Sequence, residues 1–293
     1  MPTLRALIVL LLATMALAAC DEAVEPTLGE ERPFTLLGQL DAEADTQAVR
    51  VVPIAPTIDT LDPDAIDAAV TSTTLQSGEV RVWRDSLVQY ADGSQGHVFF
   101  APFRAGYEEA YRLDVTRSDG EAATVTVTVP PLTDVDSLAR EGAFSDPRYV
   151  VGVQDAPRLS GVQARYEFVG DVPRFQVVRH SELVERVPGG WRVAIPFVAD
   201  VQRLIAASEL GEVGLRSFEV SVFVSNEEWN VDAAGGAFDP EVLVQPGTLS
   251  NVENGFGFFG AGYRTGRFIV PTAQDQIRAG LCLLNAERTG CAE

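Results

Sequence analysis

Cys20 is the residue of this chain that is best placed for covalent chemistry. It ends the Leu-Ala-Ala-Cys sequence over residues 17–20 and follows Arg5 and an uncharged apolar stretch over residues 6–19. That stretch is shorter than the roughly 20 residues that span a bilayer. It therefore predicts a cleaved signal peptide over residues 1–19 and not a membrane anchor. After cleavage before Cys20, its thiol would belong to the first residue of the mature chain.

The Leu-Ala-Ala-Cys sequence resembles a bacterial lipobox, which implies that Cys20 receives a diacylglyceryl group. Several acyl chains hold a protein to a membrane far more firmly than one chain does. The alternative is ordinary secretory cleavage after Ala18, which leaves Cys20 as a free thiol. We expect a lipid-anchored protein and no other membrane attachment.

The acidic segment over residues 20–32 has little apolar content and predicts a flexible tether. Asp21 and Glu22 directly after Cys20 resemble the signals that Bacteroidota lipoproteins use for export to the cell surface. In an enterobacterium the same Asp21 would resemble an inner-membrane retention signal. We expect the outer membrane and the cell surface, with the periplasmic face as the alternative.

Cys282 and Cys291 lie close together near the C-terminus. In an oxidising compartment this spacing predicts a local disulfide, with two independent thiols as the alternative. Closing so short a loop stabilises a fold by roughly 2 to 3 kcal/mol in the chain-entropy model. A metal site is not expected there, because His97 and His180 are distant in sequence.

The charge pattern argues against nucleic acid as a partner. The chain has a formal net charge of −20, and all 22 of its basic residues are arginine. No polybasic segment is present that would hold a phosphate backbone or anionic lipids. The absence of lysine has two interpretations, which are codon composition and adaptation of an acidic surface to high salt.

No residue pattern predicts catalysis, a cofactor or a metal. Two separate histidines do not supply a multi-histidine zinc site, and Ser94 lacks the spacing of a hydrolase nucleophile elbow. The aspartates between Asp59 and Asp67 lack the glycine and glutamate of a calcium loop and favour a short solvated helix. Carboxylate pairs for glycoside hydrolysis stay open, since sequence does not measure their separation. We expect a protein that is not an enzyme.

Alternation of apolar and polar residues with a period of two dominates the mature chain and predicts half-buried antiparallel strands. Examples are residues 80–84, 111–116, 123–129, 163–168 and 218–224. Pro130 and Pro131 interrupt this pattern. The predicted fold class is mainly β, with two β-rich sandwich-like domains of immunoglobulin or transthyretin type. We predict the first domain over 33–130, a linker over 131–148 and the second domain over 149–293.

Two segments of the second domain favour helices. Apolar residues near one face predict a helix from Phe197 to Leu210. A C-terminal helix is expected from Thr272 to Leu284. Trp83 and Trp191 lie inside alternating strands and are expected to be core or half-core residues.

The segment from Ser250 to Gly260 resembles the closing signature of a Bacteroidota outer-membrane lipoprotein family known as domain of unknown function 4249. The lipobox at Cys20 is a supporting feature, whereas the N-terminal half matches the family only in pattern. The resemblance implies a partner of TonB-dependent outer-membrane transporters, and it implies no catalytic residues. The residues that carry it are Ser250, Asn251, Asn254, Gly255, Gly257, Phe259 and Gly260.

The same segment has the glycine spacing of a dinucleotide-binding loop at Gly255, Gly257 and Gly260. That loop requires a strand before it and a helix after it, whereas here an Asn-Gly turn precedes and a strand follows. We expect the glycines to allow close backbone approach and the phenylalanines to fill the core, with an exposed aromatic partner loop as the alternative.

Trp229 and Asn230 form a second candidate partner loop. An exposed tryptophan beside hydrogen-bonding side chains suits a sugar or a peptide, and the alternative is that Trp229 caps the sandwich. The leading hypothesis is a non-enzymatic, lipid-anchored outer-membrane protein that assists a TonB-dependent transporter or captures its ligand. The alternative is a structural or adhesive cell-envelope protein.

Overall fold

The computed structural model describes residues 32–54, 66–143, 146–169, 174–208, 213–229, 250–285 and 291. The chain divides into two units, Met1–Glu31 and Arg32–Glu293, and all of the described residues belong to the second unit. These residues are mainly β, as predicted, with two α-helices among them. None of the described helices is both long enough and apolar enough to cross a membrane.

The largest layer is an eight-stranded sheet. Its strands form because apolar and polar side chains alternate along them, so that each strand buries one face. In spatial order the strands are β12 (Arg174–Arg179), β11 (Arg158–Val169), β15 (Gly214–Ser225), β16 (Phe256–Ile269), β1 (Phe34–Asp41), β2 (Gln47–Pro53), β6 (Gln95–Ala101) and β5 (Arg84–Gln89).

Two four-stranded sheets pack with this sheet. The first contains β4 (Val80–Val82), β3 (Ala69–Thr74), β7 (Ala110–Thr116) and β8 (Ala122–Thr128). The second contains β13 (Val184–Val187), β14 (Gly190–Ile195), β10 (Arg148–Gln154) and β9 (Val135–Glu141).

Buried residues of all three sheets belong to one hydrophobic core. The inner face of the eight-stranded sheet supplies buried residues such as Leu36, Val49, Phe218 and Phe259. The outer face is the opposite one, and registers across neighbouring strands define it. One row of the outer face crosses Val177, Arg165, Glu219 and Phe268, and another crosses Phe258, Leu37, Arg50, Val98 and Ser86.

The strands of the two predicted domains share the eight-stranded sheet. Strand β1 lies parallel to β16, with Thr35 opposite Phe256 and Asp41 opposite Gly262. The predicted boundary over 131–148 therefore does not separate two sheets. That segment is also not simply a linker, because it contains β9 and the first residue of β10. Hydrogen bonding between distant segments overrides the local signal of the two prolines.

The alternating segment around Trp83 contributes to two strands in different sheets. Residues 80–84 were expected to form one strand, but the chain passes from β4 in one sheet to β5 in another at Trp83. The Trp83 side chain is buried, as predicted, and its Nε1 donates to Ser72 Oγ over 2.9 Å. Trp191 is partly buried against the core and donates to the Ala156 carbonyl.

Helix α1 (Phe197–Ser208) crosses between β14 and β15, as predicted, and Val198 and Val201 on its apolar face are buried. Residue 210 lies outside the described residues. Helix α2 (Ala273–Arg278) begins at the N-cap Thr272 but ends well before the predicted Leu284. Gly280 follows with φ of +88°, a conformation that ends helices.

Candidate partner-binding surface

The sequence-predicted sites are distributed unevenly over the structure. Cys20, Asn230 and the aspartates from Asp59 to Asp64 lie outside the described residues. Cys282 and Cys291 form the predicted disulfide. Within the described residues, no three histidine, cysteine, aspartate or glutamate side chains are grouped as a metal site would need.

The Ser250–Gly260 motif is a structural crossover. Its Asn251 side chain takes the place of a strand partner, because its Nδ2 donates to the Phe259 carbonyl over 2.7 Å while its Oδ1 accepts from the Phe259 N–H. Glu253 exchanges two backbone hydrogen bonds with Thr124 of β8. The motif thus joins a four-stranded sheet to the start of β16.

The turn of the motif requires the residue types that the sequence supplies. Asn254 has φ of +51°, and its side chain donates to the Ala122 carbonyl over 2.7 Å. Gly257 has φ of +92°, and a Cβ there would lie 2.0 Å from the Leu36 carbonyl oxygen. Strand β16 begins at Phe256 without a helix, so the dinucleotide-loop geometry is absent from this described segment.

Two separately predicted features meet on the outer face. The Trp229 ring lies over Gly260 so closely that a Cβ on the glycine would be 2.6 Å from it. The same ring contacts Phe223 and Phe258, with centroid distances of 5.1 and 5.3 Å. We name Phe223, Trp229 and Phe258 the aromatic cluster.

Hydrogen bonds fix the backbone around Trp229. The Asn226 side chain accepts from the Ala261 N–H over 3.2 Å, and the Trp229 N–H donates to the Asn226 carbonyl. The Arg158 guanidinium donates to the Trp229 carbonyl. Trp229 covers Gly260 of the sheet and is itself partly exposed. This packing agrees with the cap hypothesis, whereas a role of Trp229 as a partner contact stays a prediction.

Arginine stacked on aromatic rings is the second feature of the outer face. The guanidinium carbons of Arg50, Arg165 and Arg264 lie 4.8, 4.4 and 5.9 Å from the ring centres of Tyr90, Phe175 and Phe223. The sequence analysis did not single out these pairs. Each arginine occupies the polar position of an alternating strand, which was the available signal in the sequence. The partner rings lie on other strands for Phe175 and Phe223, and directly after β5 for Tyr90.

Arg50 and Tyr90 contain unsatisfied polar atoms. The Arg50 Nε and the Tyr90 hydroxyl are buried, and neither has a hydrogen-bond partner in the described part of the chain. Burial lowers the pKa of Arg264, and the neighbouring charge of Arg179 acts in the same direction, while Asp41 and Glu219 oppose it. The outer face therefore holds partly desolvated guanidinium groups.

A buried polar cluster lies between the sheets, at the start of α1. Asp200 Oδ2 accepts from the Tyr166 hydroxyl over 2.8 Å and lies 2.6 Å from His180 Nε2. Burial and the Asp200 charge raise the pKa of Tyr166 well above its usual value. Asp200 and Tyr166 are fully buried and His180 nearly so, so this cluster is sealed from substrates and fastens α1 to the sheet.

A second buried carboxylate fastens α2. Asp275 accepts two hydrogen bonds from Arg140, at 2.7 and 2.8 Å, and a third from the Tyr149 hydroxyl at 2.8 Å. The Arg140 bonds are the largest cause that lowers the pKa of Asp275 to about 2, and the hydrogen bonds from Tyr149 and Thr272 add to it. This network is structural, since its members satisfy one another.

Comparison with known proteins adds little. No protein-family model and no curated protein matches the chain. Two similar solved structures are a pullulanase from Anoxybacillus sp. LM18-11 and the same enzyme complexed with maltotriose, at 11% and 10% identity and a TM-score of 0.23. In each case the similarity covers 65% of this chain and 24% of the pullulanase. Such a low TM-score indicates neither a shared fold nor a shared activity.

Proposed function

We propose that this chain is a non-enzymatic, lipid-anchored binding protein of the bacterial outer membrane that assists a TonB-dependent transporter. The observation that carries the proposal is the aromatic cluster on an outer sheet face that also carries exposed apolar side chains. Phe268, Phe175 and Val177 on that face are 68%, 53% and 51% exposed. Exposed apolar groups that share one face are typical of interaction surfaces.

The construction of the cluster supports a binding role. A partner surface gains affinity when its aromatic groups are already ordered, because binding then immobilises fewer side chains. Trp229 is ordered by Gly260 beneath it, by Asn226 and by the Arg158 bond to its carbonyl. Tryptophan and arginine are also the residue types that most often dominate binding energy.

The transporter as partner follows from the family resemblance of the Ser250–Gly260 motif. The anchor follows from the lipobox at Cys20, and together they suggest the outer membrane with the sheet face available for contact. The non-enzymatic assignment is supported by the two buried carboxylates, Asp200 and Asp275, whose hydrogen bonds fasten helices and not a substrate.

Affinity purification from native membranes tests the proposal. The full chain with a C-terminal tag is solubilised in mild detergent, and stoichiometric companions are identified by mass spectrometry. We expect a TonB-dependent β-barrel with the wild-type chain and much less of it with Trp229→Ala. Leu132→Ala is the matched control, because Leu132 is 64% exposed but lies outside the strands of the outer face.

Two results would contradict the proposal. Recovery of the lipoprotein alone, with lipid on Cys20, would argue against a stable transporter complex and favour the structural or adhesive alternative. Recovery of the barrel at equal yield with both variants would show that the aromatic cluster is not the contact.

A further inference from the structure

The outer face differs in charge from the rest of the chain. The whole sequence has a net charge of −20, yet the strand positions of the outer face hold six arginines and three acids. One of the acids, Glu167, is already engaged by Arg216 and Ser217. The arginines are Arg50, Arg84, Arg158, Arg165, Arg179 and Arg264, and Arg158 already donates to the Trp229 carbonyl.

Arg50 and Arg165 have free donor capacity. Within the described residues, no carboxylate lies at ion-pairing distance from Arg50 or Arg165, whose guanidinium planes instead contact rings. Stacking engages the face of a guanidinium and leaves its N–H edge available for a planar, two-oxygen acceptor. Burial lowers the pKa of Arg264 and the nearby Arg179 charge adds to this, so a bound anion at Arg264 would offset part of that cost.

We propose that the outer face binds an anionic polysaccharide, with arginine edges on its carboxylates and aromatic rings against its sugar rings. This inference rests on the proposed function, since it names the ligand class of the same surface. Neighbouring strands lie about 4.8 Å apart, so the eight strands offer a platform about 34 Å wide. Such a platform accommodates an extended polymer of several sugars.

Charge density favours a glycan over a nucleic acid. Duplex DNA carries a charge about every 1.7 Å, and the field of so acidic a chain would oppose it strongly. A polymer with one carboxylate per sugar carries charge at wider intervals. The stacked arginines would then contact separate carboxylates of the same polymer, and Trp229, whose ring contacts the Phe223 ring under Arg264, would contact a sugar.

Titration calorimetry with the full chain in detergent tests this inference. The probe is polygalacturonate, and its matched control is the same polymer with its carboxylates methyl-esterified. We expect polygalacturonate to bind at least tenfold more tightly than the ester. Its affinity should fall as sodium chloride rises from 50 to 500 mM, because salt screens exposed charges.

Variants locate the site. The triple variant Arg50→Gln, Arg165→Gln and Arg264→Gln should bind at least tenfold more weakly. The control Arg112→Gln removes the same charge from the solvent side of β7 and should bind like wild type. Arg165→Gln alone, at an exposed position, should weaken binding about threefold, and it tests the site if the triple variant does not fold.

Several outcomes would overturn the inference. They are equal affinity for the polymer and its ester, no binding at millimolar sugar concentration, wild-type affinity of the folded arginine variants, or equally tight binding of a thymidine oligonucleotide. If polygalacturonate does not bind but a TonB-dependent barrel is recovered from membranes, the glycan inference is wrong and the transporter proposal is supported. If polygalacturonate binds but no barrel is recovered, the outer face is a binding surface and the transporter proposal is wrong.

Discussion

Asp275 permits a quantitative prediction, because it is buried and its pKa in the folded chain is about 2, against an ordinary value of 3.8. At about 1.36 kcal/mol per pKa unit, this difference corresponds to about 2.4 kcal/mol of stability. Solvent reaches its partner Arg140, whose side chain is 34% exposed, so screening reduces the value to about 1 to 2 kcal/mol.

The sign follows from linkage. A carboxyl whose pKa is lower in the folded chain stabilises the fold above pH 3.8 and loses that contribution as the pH falls toward 2. Asp275→Asn should therefore lower the free energy of unfolding by about 1 to 2 kcal/mol at pH 7. The difference from wild type should shrink below pH 4 and fall to about 0.4 kcal/mol or less by pH 2, where half of the carboxyls are still ionised.

Urea denaturation from pH 7 to pH 2 measures this difference, with the disulfide kept intact. Asp146→Asn is the control, because Asp146 pairs with Arg148 on the surface at 3.3 Å and both side chains are about half exposed. Its effect should stay below about 0.5 kcal/mol. An Asp275→Asn effect that is the same at pH 7 and pH 2 would refute the reasoning.

Three further predictions concern the backbone, the disulfide and the polar cluster. Gly257→Ala should cost about 3 kcal/mol or more in urea denaturation, since its Cβ would meet a carbonyl oxygen, whereas Gly78→Ala, with open space around it, should cost about 1 kcal/mol. Cys282→Ser should cost about 2 to 3 kcal/mol, and wild type in reducing agent should match it; unequal losses would contradict the loop-closure argument. Tyr166→Phe should cost about 1.5 to 3 kcal/mol at pH 7, because Asp200 loses a donor; a loss under 0.5 kcal/mol would show that the bond contributes little.

Local periodicity predicted much of the secondary structure. The strand expected over 111–116 is β7, and the helix expected from Phe197 is α1. Both follow from spacing along a short segment, where side-chain direction repeats every 2 or 3.6 residues. Strand pairing depends on residues that are far apart in the chain. The β1–β16 pair and the sheet shared by the two predicted domains therefore could not be predicted from local sequence patterns.

The sequence around the two buried carboxylates, Asp200 and Asp275, contains patterns that could have predicted their roles. Asp200 lies three residues after Phe197 and four before Leu204, which places a charge on the apolar side of α1. Thr272 and Asp275 have the spacing of a helix capping box, and Thr272 Oγ1 accepts from the Asp275 N–H. Their partners were beyond sequence reasoning, because Arg140 and Tyr166 come from distant strands.

The parallel pairing of β1 with β16 also governs the order in which this chain can fold. Closing a loop of about 220 residues costs about 3 kcal/mol more chain entropy than closing a six-residue hairpin, by logarithmic scaling. Strand β1 can pair early with its neighbour β2, but its other edge waits for almost the last strand. Until then a strand from the middle of the sheet presents an open edge, which is prone to aggregation. A chain interrupted before Phe256 would therefore expose this edge permanently.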